Sequence, residues 1–216
     1  MPQIFHRSMN TVSKASILGG VILIGLIGYI AWQVNQSSYF TYTKQPLTQP
    51  VPFSHRHHTS ELGIDCRYCH VSVENSHFAG IPPTHTCMSC HSQVWVDSPM
   101  LAPVRASYRT DESLVWTRVN ALPDFVFFNH SIHINKGIGC TTCHGQLGEM
   151  PITWRQNTLY MRWCINCHKH PEQYVRPKKD VFDAVYNPPP DQLAMGRRLV
   201  KEYKIRSLTS CETCHR

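Results

Sequence analysis

Residues 128–144 read Phe128-Asn129-His130-Ser131-Ile132-His133-Ile134-Asn135-Lys136-Gly137-Ile138-Gly139-Cys140-Thr141-Thr142-Cys143-His144. A phrase F-x-H-x-x-H thus stands ten residues ahead of a Cys-x-x-Cys-His pentapeptide, counted from His130 to Cys140. The same phrase occurs upstream as Phe53-Ser54-His55-Arg56-His57-His58, with His55 eleven residues before Cys66. This is an internal duplication. Residues i and i+3 on a helical turn share a face, so each phrase can offer two imidazoles to two different neighbours.

Working outward, the pentapeptide occurs five times: Cys66-Arg67-Tyr68-Cys69-His70, Cys87-Met88-Ser89-Cys90-His91, Cys140-Thr141-Thr142-Cys143-His144, Cys164-Ile165-Asn166-Cys167-His168 and Cys211-Glu212-Thr213-Cys214-His215. All ten cysteines are used, leaving no thiol for a separate disulfide framework. At this chain's own histidine frequency, 14 in 216, five histidines in that place arise by chance with a probability of roughly one in a million.

The spacing has a chemical reason. Two thiols three positions apart reach the two vinyl groups of one haem as thioethers, and the next residue then lies under the iron as its proximal ligand. Zinc would need four ligands per ion from the same set, and a thioredoxin-like motif would need a βαβ context and no following histidine. The sequence therefore predicts five haem c groups, with His70, His91, His144, His168 and His215 proximal. About 36 residues per haem are too few to give each porphyrin its own core, against the ~100 of an ordinary domain. The haems must pack on one another, within reach for electron transfer.

Five irons need five distal ligands, and the duplicated phrase supplies four: His55, His58, His130 and His133. The first of each pair is expected to close on the motif just after it, the second to cross to a neighbour. For the fifth position His57, His77, His85, His170, Met100, Met150, Met161 and Met195 remain. A thioether is softer than imidazole and favours ferrous iron. Met150 and Met161 lead, because both lie between the third and fourth motifs; packing against a porphyrin face is the alternative role for either. His85, two before Cys87, suits a propionate or solvent.

From Ala15 to Val34 no charge occurs over 20 residues, ASILGGVILIGLIGYIAWQV, which at helical rise is about 30 Å, enough for a hydrocarbon core. A cleaved export signal is the competing reading, but the run is long for one and no A-x-A site follows. Arg7 and Lys14 precede it and nothing charged follows until Lys44, so the N-terminus is expected in the cytoplasm and the rest outside. His6 falls on the wrong side to reach a haem. The formal charge of +7 would suit nucleic acid or an anionic surface, but five haems bring about ten propionates, taking the sum to roughly −3 with reduced irons or about +2 with ferric ones. No nucleic-acid partner is expected.

The expected layout is a cytoplasmic N-terminus over 1–14, a transmembrane helix over 15–34, a proline-bearing tether over 35–52 and a haem domain over 53–216. Within the last, 53–98 holds the first haem pair and 124–216 the last three haems. Asp111 to Asn120 could be a short strand or a helix. Pro177 to Pro190 reads as a loop, after which Asp191 can cap a helix from Gln192 to about Arg206. No G-x-G-x-x-G, P-loop, G-x-S-x-G or H-E-x-x-H occurs, so no catalytic residue is assigned.

With its anchor, the five motifs in this spacing, AGIPPTHTCMSCH (79–91), LPDFVFFNHSIHINKGIGCTTCHG (122–145) and MRWCINCHKHPE (161–172), the chain resembles the membrane-anchored pentahaem cytochrome c subunit of alternative complex III, a bacterial quinol:acceptor oxidoreductase. The resemblance covers most of the chain. It implies a multihaem c-type cytochrome fold, class III/c7-like, with little regular secondary structure, short helices and one N-terminal transmembrane helix. It implies a non-catalytic electron-transfer subunit of the cytoplasmic membrane with its haem domain in the periplasm. Its partners would be an iron–sulfur protein, polytopic quinol-binding subunits and monohaem cytochromes c, with a periplasmic cytochrome c or copper protein as acceptor. Relatives often carry a histidine where this chain has Phe78, with His77 alongside.

Competing readings are a NapC/NrfH-like quinol dehydrogenase, a catalytic multihaem reductase with one five-coordinate iron, and a storage protein. In the first, a haem should lie against the bilayer, yet Cys66 is 32 residues beyond Val34. In the second, one iron would lack a distal ligand.

Overall fold

A 29-residue helix, α1, runs Ser8–Gln36 in the computed structural model, which describes residues 4–215. Its mean hydropathy is 2.1 over the most apolar window, and it is long and apolar enough to cross a membrane. The helix exceeds the expected 15–34 at both ends, because nothing between Ser8 and Lys14 breaks it and Ser37, extended at ψ 158°, ends it. Tyr29 and Trp32 stand one turn apart, with ring centres 6.3 Å apart. A short helix α2, Ser38–Thr41, follows. Residues 1–3 and 216, the ends of the expected cytoplasmic and haem segments, lie outside the described residues.

The chain divides into two units, one reaching Thr43 and the other starting at Lys44. The expected tether over 35–52 does not stay extended throughout. Pro46 pairs with Trp154, Gln49 and Thr117 exchange hydrogen bonds, and Val51 is buried with Leu101 and Val104. Buried Val51 ties this stretch to the rest of the unit, while Pro46 and Pro52 stay exposed.

Among the described residues the second unit contains no strand; Pro46 pairs with Trp154 and Ile138 with Val175 as isolated antiparallel bridges. Its helices are short: α3 Cys66–Cys69, α4 Thr84–His91, α5 Ala102–Thr110, α6 His130–Asn135, α7 Cys140–His144, α8 Met161–Lys169, α9 Gln192–Glu202 and α10 Cys211–Cys214. Each Cys-x-x-Cys lies on one of them, since one helical turn puts both sulfurs on one side. Asp111 to Asn120 forms neither strand nor helix after α5. Asp191 precedes α9 without a side-chain capping bond, and the helix stops at Glu202, not Arg206, with Lys204 in the left-handed region at φ 51°.

The buried apolar residues do not form one core. Apart from Met150, they fall into three small groups, around Val51, around Val73, Ile134 and Val181, and around Ile138, Val175 and Leu199. Cysteines pack on the first two groups, Cys87 and Cys140 respectively. Burial at ~25 cal/mol per Å2 has little area to act on here, so the chain's own side chains supply only part of an interior.

Candidate haem sites

The duplicated phrase folds twice into the same ring arrangement. Phe53 stands edge-on to His55 at 4.9 Å and 87°, and stacks on His58 at 4.4 Å and 25°. Phe128 repeats this with His130 at 4.8 Å and 89° and with His133 at 4.5 Å and 28°. Good N-capping residues open both turns: the Ser54 hydroxyl accepts from the His57 N–H and the Asn129 side chain from the Ile132 N–H. One difference remains. The first phrase continues as a π-helical turn, Arg56–Glu61, the second as α6. A π turn takes up one extra residue, which matches the eleven-residue spacing to Cys66 against ten to Cys140.

Each upstream imidazole then meets one from a pentapeptide. The centres of His55 and His70 lie 6.5 Å apart, those of His130 and His144 also 6.5 Å, with planes only 6° and 3° apart. His58 faces His91 at 6.3 Å and His133 faces His168 at 6.1 Å, with planes crossed at 65° and 55°. A metal–nitrogen bond of ~2.0–2.1 Å on each side puts two ring centres roughly 6 Å apart across one ion. Among the described residues no three His, Cys, Asp or Glu side chains converge on one point; these imidazoles meet in twos, as the two axial positions of a haem iron require. The residues present therefore fit haem c.

Hydrogen bonds fix which nitrogen is free. His58, His70, His91, His130, His133, His168 and His215 place Nδ1 against the carbonyls of Ser54, Gly80, Val94, His77, Asn129, Leu208 and Phe125, at 2.6 to 3.1 Å. A carbonyl only accepts, so Nδ1 carries the proton and Nε2 keeps its lone pair for a metal. His55 bonds the Thr153 hydroxyl at 2.8 Å and His144 the Asn120 amide at 3.0 Å. Ligation through Nε2 requires the Asn120 amide to turn its oxygen to His144, and the two amide orientations have the same shape. Burial first, then His70, His144 and His58, pushes His55 down to about 4; burial, then His130 and His70, does the same to His144. Both rings are neutral near pH 7, the form that ligates.

The remaining candidates are placed differently. His57 bonds Glu61 at 2.8 Å, His170 lies 3.6 Å from Glu172, and exposed His85 stands edge-on to Tyr108. His77 contributes its backbone carbonyl to His130 while its side chain is exposed. Met150 is wholly buried beside Gly145, Met195 packs against the group of Ile138, Val175 and Leu199, and Met100 and Met161 are exposed. Met161 opens α8 one turn before Cys164. Sequence reasoning did not find Thr153, Asn120 or the carbonyl acceptors; only Ser54 and Asn129, as capping residues, carried a local signal.

The motifs are neighbours in one particular order. The Tyr68 and Ser89 hydroxyls, in the first and second, share a 2.9 Å hydrogen bond. The Cys66 thiol interacts with that of Cys140, lowering its own pKa and raising the other's. Burial, then Cys167 and Cys164, pushes Cys143 up to about 12, and burial, then Cys214, raises Cys164.

Residues 126–216 match the family described as cytochrome c7 and related cytochrome c. A relative of Nitratidesulfovibrio vulgaris, named "Menaquinone reductase, multiheme cytochrome c subunit", is 38% identical over 97 residues, 44% of this chain and 45% of that protein. The matched region thus spans less than half the length of that relative. The short helices, the absence of strands among the described residues, the paired imidazoles and the family match agree on a c7-like multihaem cytochrome domain over residues 126–216, similar to electron carriers with covalently bound haem c.

Proposed function

We propose that this chain is the electron-relay subunit of a membrane quinol:acceptor oxidoreductase of the alternative complex III type, holding five haems c outside the cytoplasmic membrane. The observation that carries this reading is the four imidazole pairs at 6.1 to 6.5 Å, each with Nδ1 engaged. Cys66 and Cys69 with His70 and His55 hold the first haem. Cys87 and Cys90 with His91 and His58 hold the second, Cys140 and Cys143 with His144 and His130 the third, and Cys164 and Cys167 with His168 and His133 the fourth. Cys211 and Cys214 with His215 hold the fifth, and Met161 is its distal ligand. Its place one turn ahead of Cys164, which interacts with Cys214, supports Met161; Met150, sealed beside Gly145, has a packing role.

Each bound haem supplies a one-electron centre. The protein's part is to order the sites as second, first, third, fourth, fifth, and to keep ligating nitrogens unprotonated. The apolar α1 anchors the unit, and Arg7 and Lys14 hold its start in the cytoplasm. A single helix offers no quinone pocket, so quinol oxidation belongs to neighbouring polytopic subunits and an iron–sulfur partner, with a periplasmic cytochrome or copper protein taking the electrons. The name of the menaquinone reductase relative favours a second reading, the same wire carrying electrons toward quinone.

Intact-mass and peptide mass spectrometry of the purified chain should give five covalent haems, one on each pentapeptide, and optical redox titration should find no high-spin centre. Fewer haems, or a high-spin signal of full stoichiometry, refutes the relay. Quinol added to the complex should reduce the haems; reduction only by the periplasmic donor supports the reverse direction.

A further inference from the structure

Arg176 is 3% exposed, yet no Asp or Glu oxygen among the described residues lies within 4.0 Å of it. Its guanidinium lies over the Tyr186 ring at 3.8 Å, and Nη2 donates to the Thr141 and Thr142 hydroxyls at 2.8 and 3.1 Å. These are the two residues between the cysteines of the third motif. Nη1 reaches the Asp180 carbonyl at 3.4 Å, and Nε has no partner. The backbone fixes this placement: Val175 pairs with Ile138, and the Arg176 N–H donates to Gly137 O at 2.9 Å. A side chain on Gly139 would collide with the guanidinium, so glycine before Cys140 lets Arg176 keep this position.

A buried cation costs free energy unless something compensates it, and arginine does not shed its proton to escape. Asp180 and Asp183 act on it only at longer range, and its charge is felt at both Cys140 and Cys143. The first motif provides the contrast. Its Arg67 is half-exposed and forms a double hydrogen bond with Asp65. The first and third sites share the parallel imidazole arrangement; beside the Thr153 and Asn120 partners of His55 and His144, the buried arginine without an ion-pair partner sets the third site apart.

We propose that Arg176 is a positioning and tuning residue of the third site, whose buried positive charge raises the reduction potential of the haem at Cys140, Cys143 and His144 above that of the haem at Cys66, Cys69 and His70. Ferric iron carries one more positive charge than ferrous, so a fixed cation in a poorly screened place disfavours the oxidised form. The third site, midway in the spatial order, thereby holds electrons more readily than its neighbour. This rests on the reading of a haem at the third motif.

The test compares the full-length, haem-loaded chain with its Arg176→Met, Arg176→Gln and Arg176→Lys variants by optical redox titration with mediators. Both neutral variants should lower one midpoint by about tenfold in the ratio of reduced to oxidised haem, 59 mV for a one-electron couple. Arg176→Lys should restore most of it, and the other midpoints should stay. Arg176→Gln keeps a donor for Thr141, so a decisive neutral variant remains if Arg176→Met does not fold. Unchanged midpoints in a neutral variant, or an equal drop in Arg176→Lys, overturn the electrostatic role. Peptide mass spectrometry separates the two levels: a wild-type Cys140–His144 peptide without haem overturns the site assignment itself.

Discussion

An imidazole ligates iron through one nitrogen, and the group on its other nitrogen sets how strongly it donates. Seven of the nine paired or proximal rings use a backbone carbonyl for that purpose, while His55 uses the Thr153 hydroxyl at 2.8 Å. A hydroxyl can be removed by substitution, so the site is open to test. Thr153→Val leaves the His55 N–H buried without an acceptor, at a cost of about 1–3 kcal/mol, and makes the ring a poorer donor to ferric iron. One haem midpoint should rise by up to about tenfold in the redox ratio, while haem content is unchanged from the wild type, read by redox titration and mass. A midpoint that stays put shows that Thr153 does not tune His55. The pentapeptide residues were legible in the sequence, because thioether attachment demands neighbouring side chains. The Nδ1 acceptors were not: the His77 carbonyl serves His130 across 53 positions and the Phe125 carbonyl serves His215 across 90. Every residue has a carbonyl, so none of them stands out in a sequence.

At the level of elements, the two F-x-H-x-x-H turns produce two kinds of site each. The first histidine of each turn lies parallel to its partner ring, at 6° and 3°, and the second is crossed, at 65° and 55°. Parallel planes both act on the same iron d orbital and split the upper pair, whereas crossed planes act on both orbitals and leave them close in energy. Electron paramagnetic resonance of the oxidised protein should accordingly show two low-spin classes in equal amount, the crossed class with the larger principal g value. One uniform class over these four haems would mean that the turns do not hold the rings as described. The duplication was visible in residue types, and its helical turn was expected from the i, i+3 spacing. The π turn over Arg56–Glu61 was not expected, although the one-residue excess before Cys66 was there to be counted.

Over the whole molecule, the order of neighbours makes the third motif the bridge between two groups: the second and first motifs on one side, the fourth and fifth on the other. Replacing Cys140 and Cys143 by serine should therefore uncouple the halves. After rapid reduction at one end, spectra should show reduced haems there and slow equilibration beyond, whereas Cys211→Ser with Cys214→Ser should leave exchange among the other four unchanged. Equal rates in both variants would contradict the linear order. The sequence by itself determined the five Cys-x-x-Cys-His pentapeptides, the duplicated histidine phrase and an apolar segment fit to cross a membrane, since each depends on residues close together in the chain. Only the tertiary structure decided that the first motif meets the third and that Arg176 is buried without an ion-pair partner against Thr141 and Thr142. Those facts depend on packing between segments 34 to 74 residues apart, and covalent spacing places no constraint on such distances.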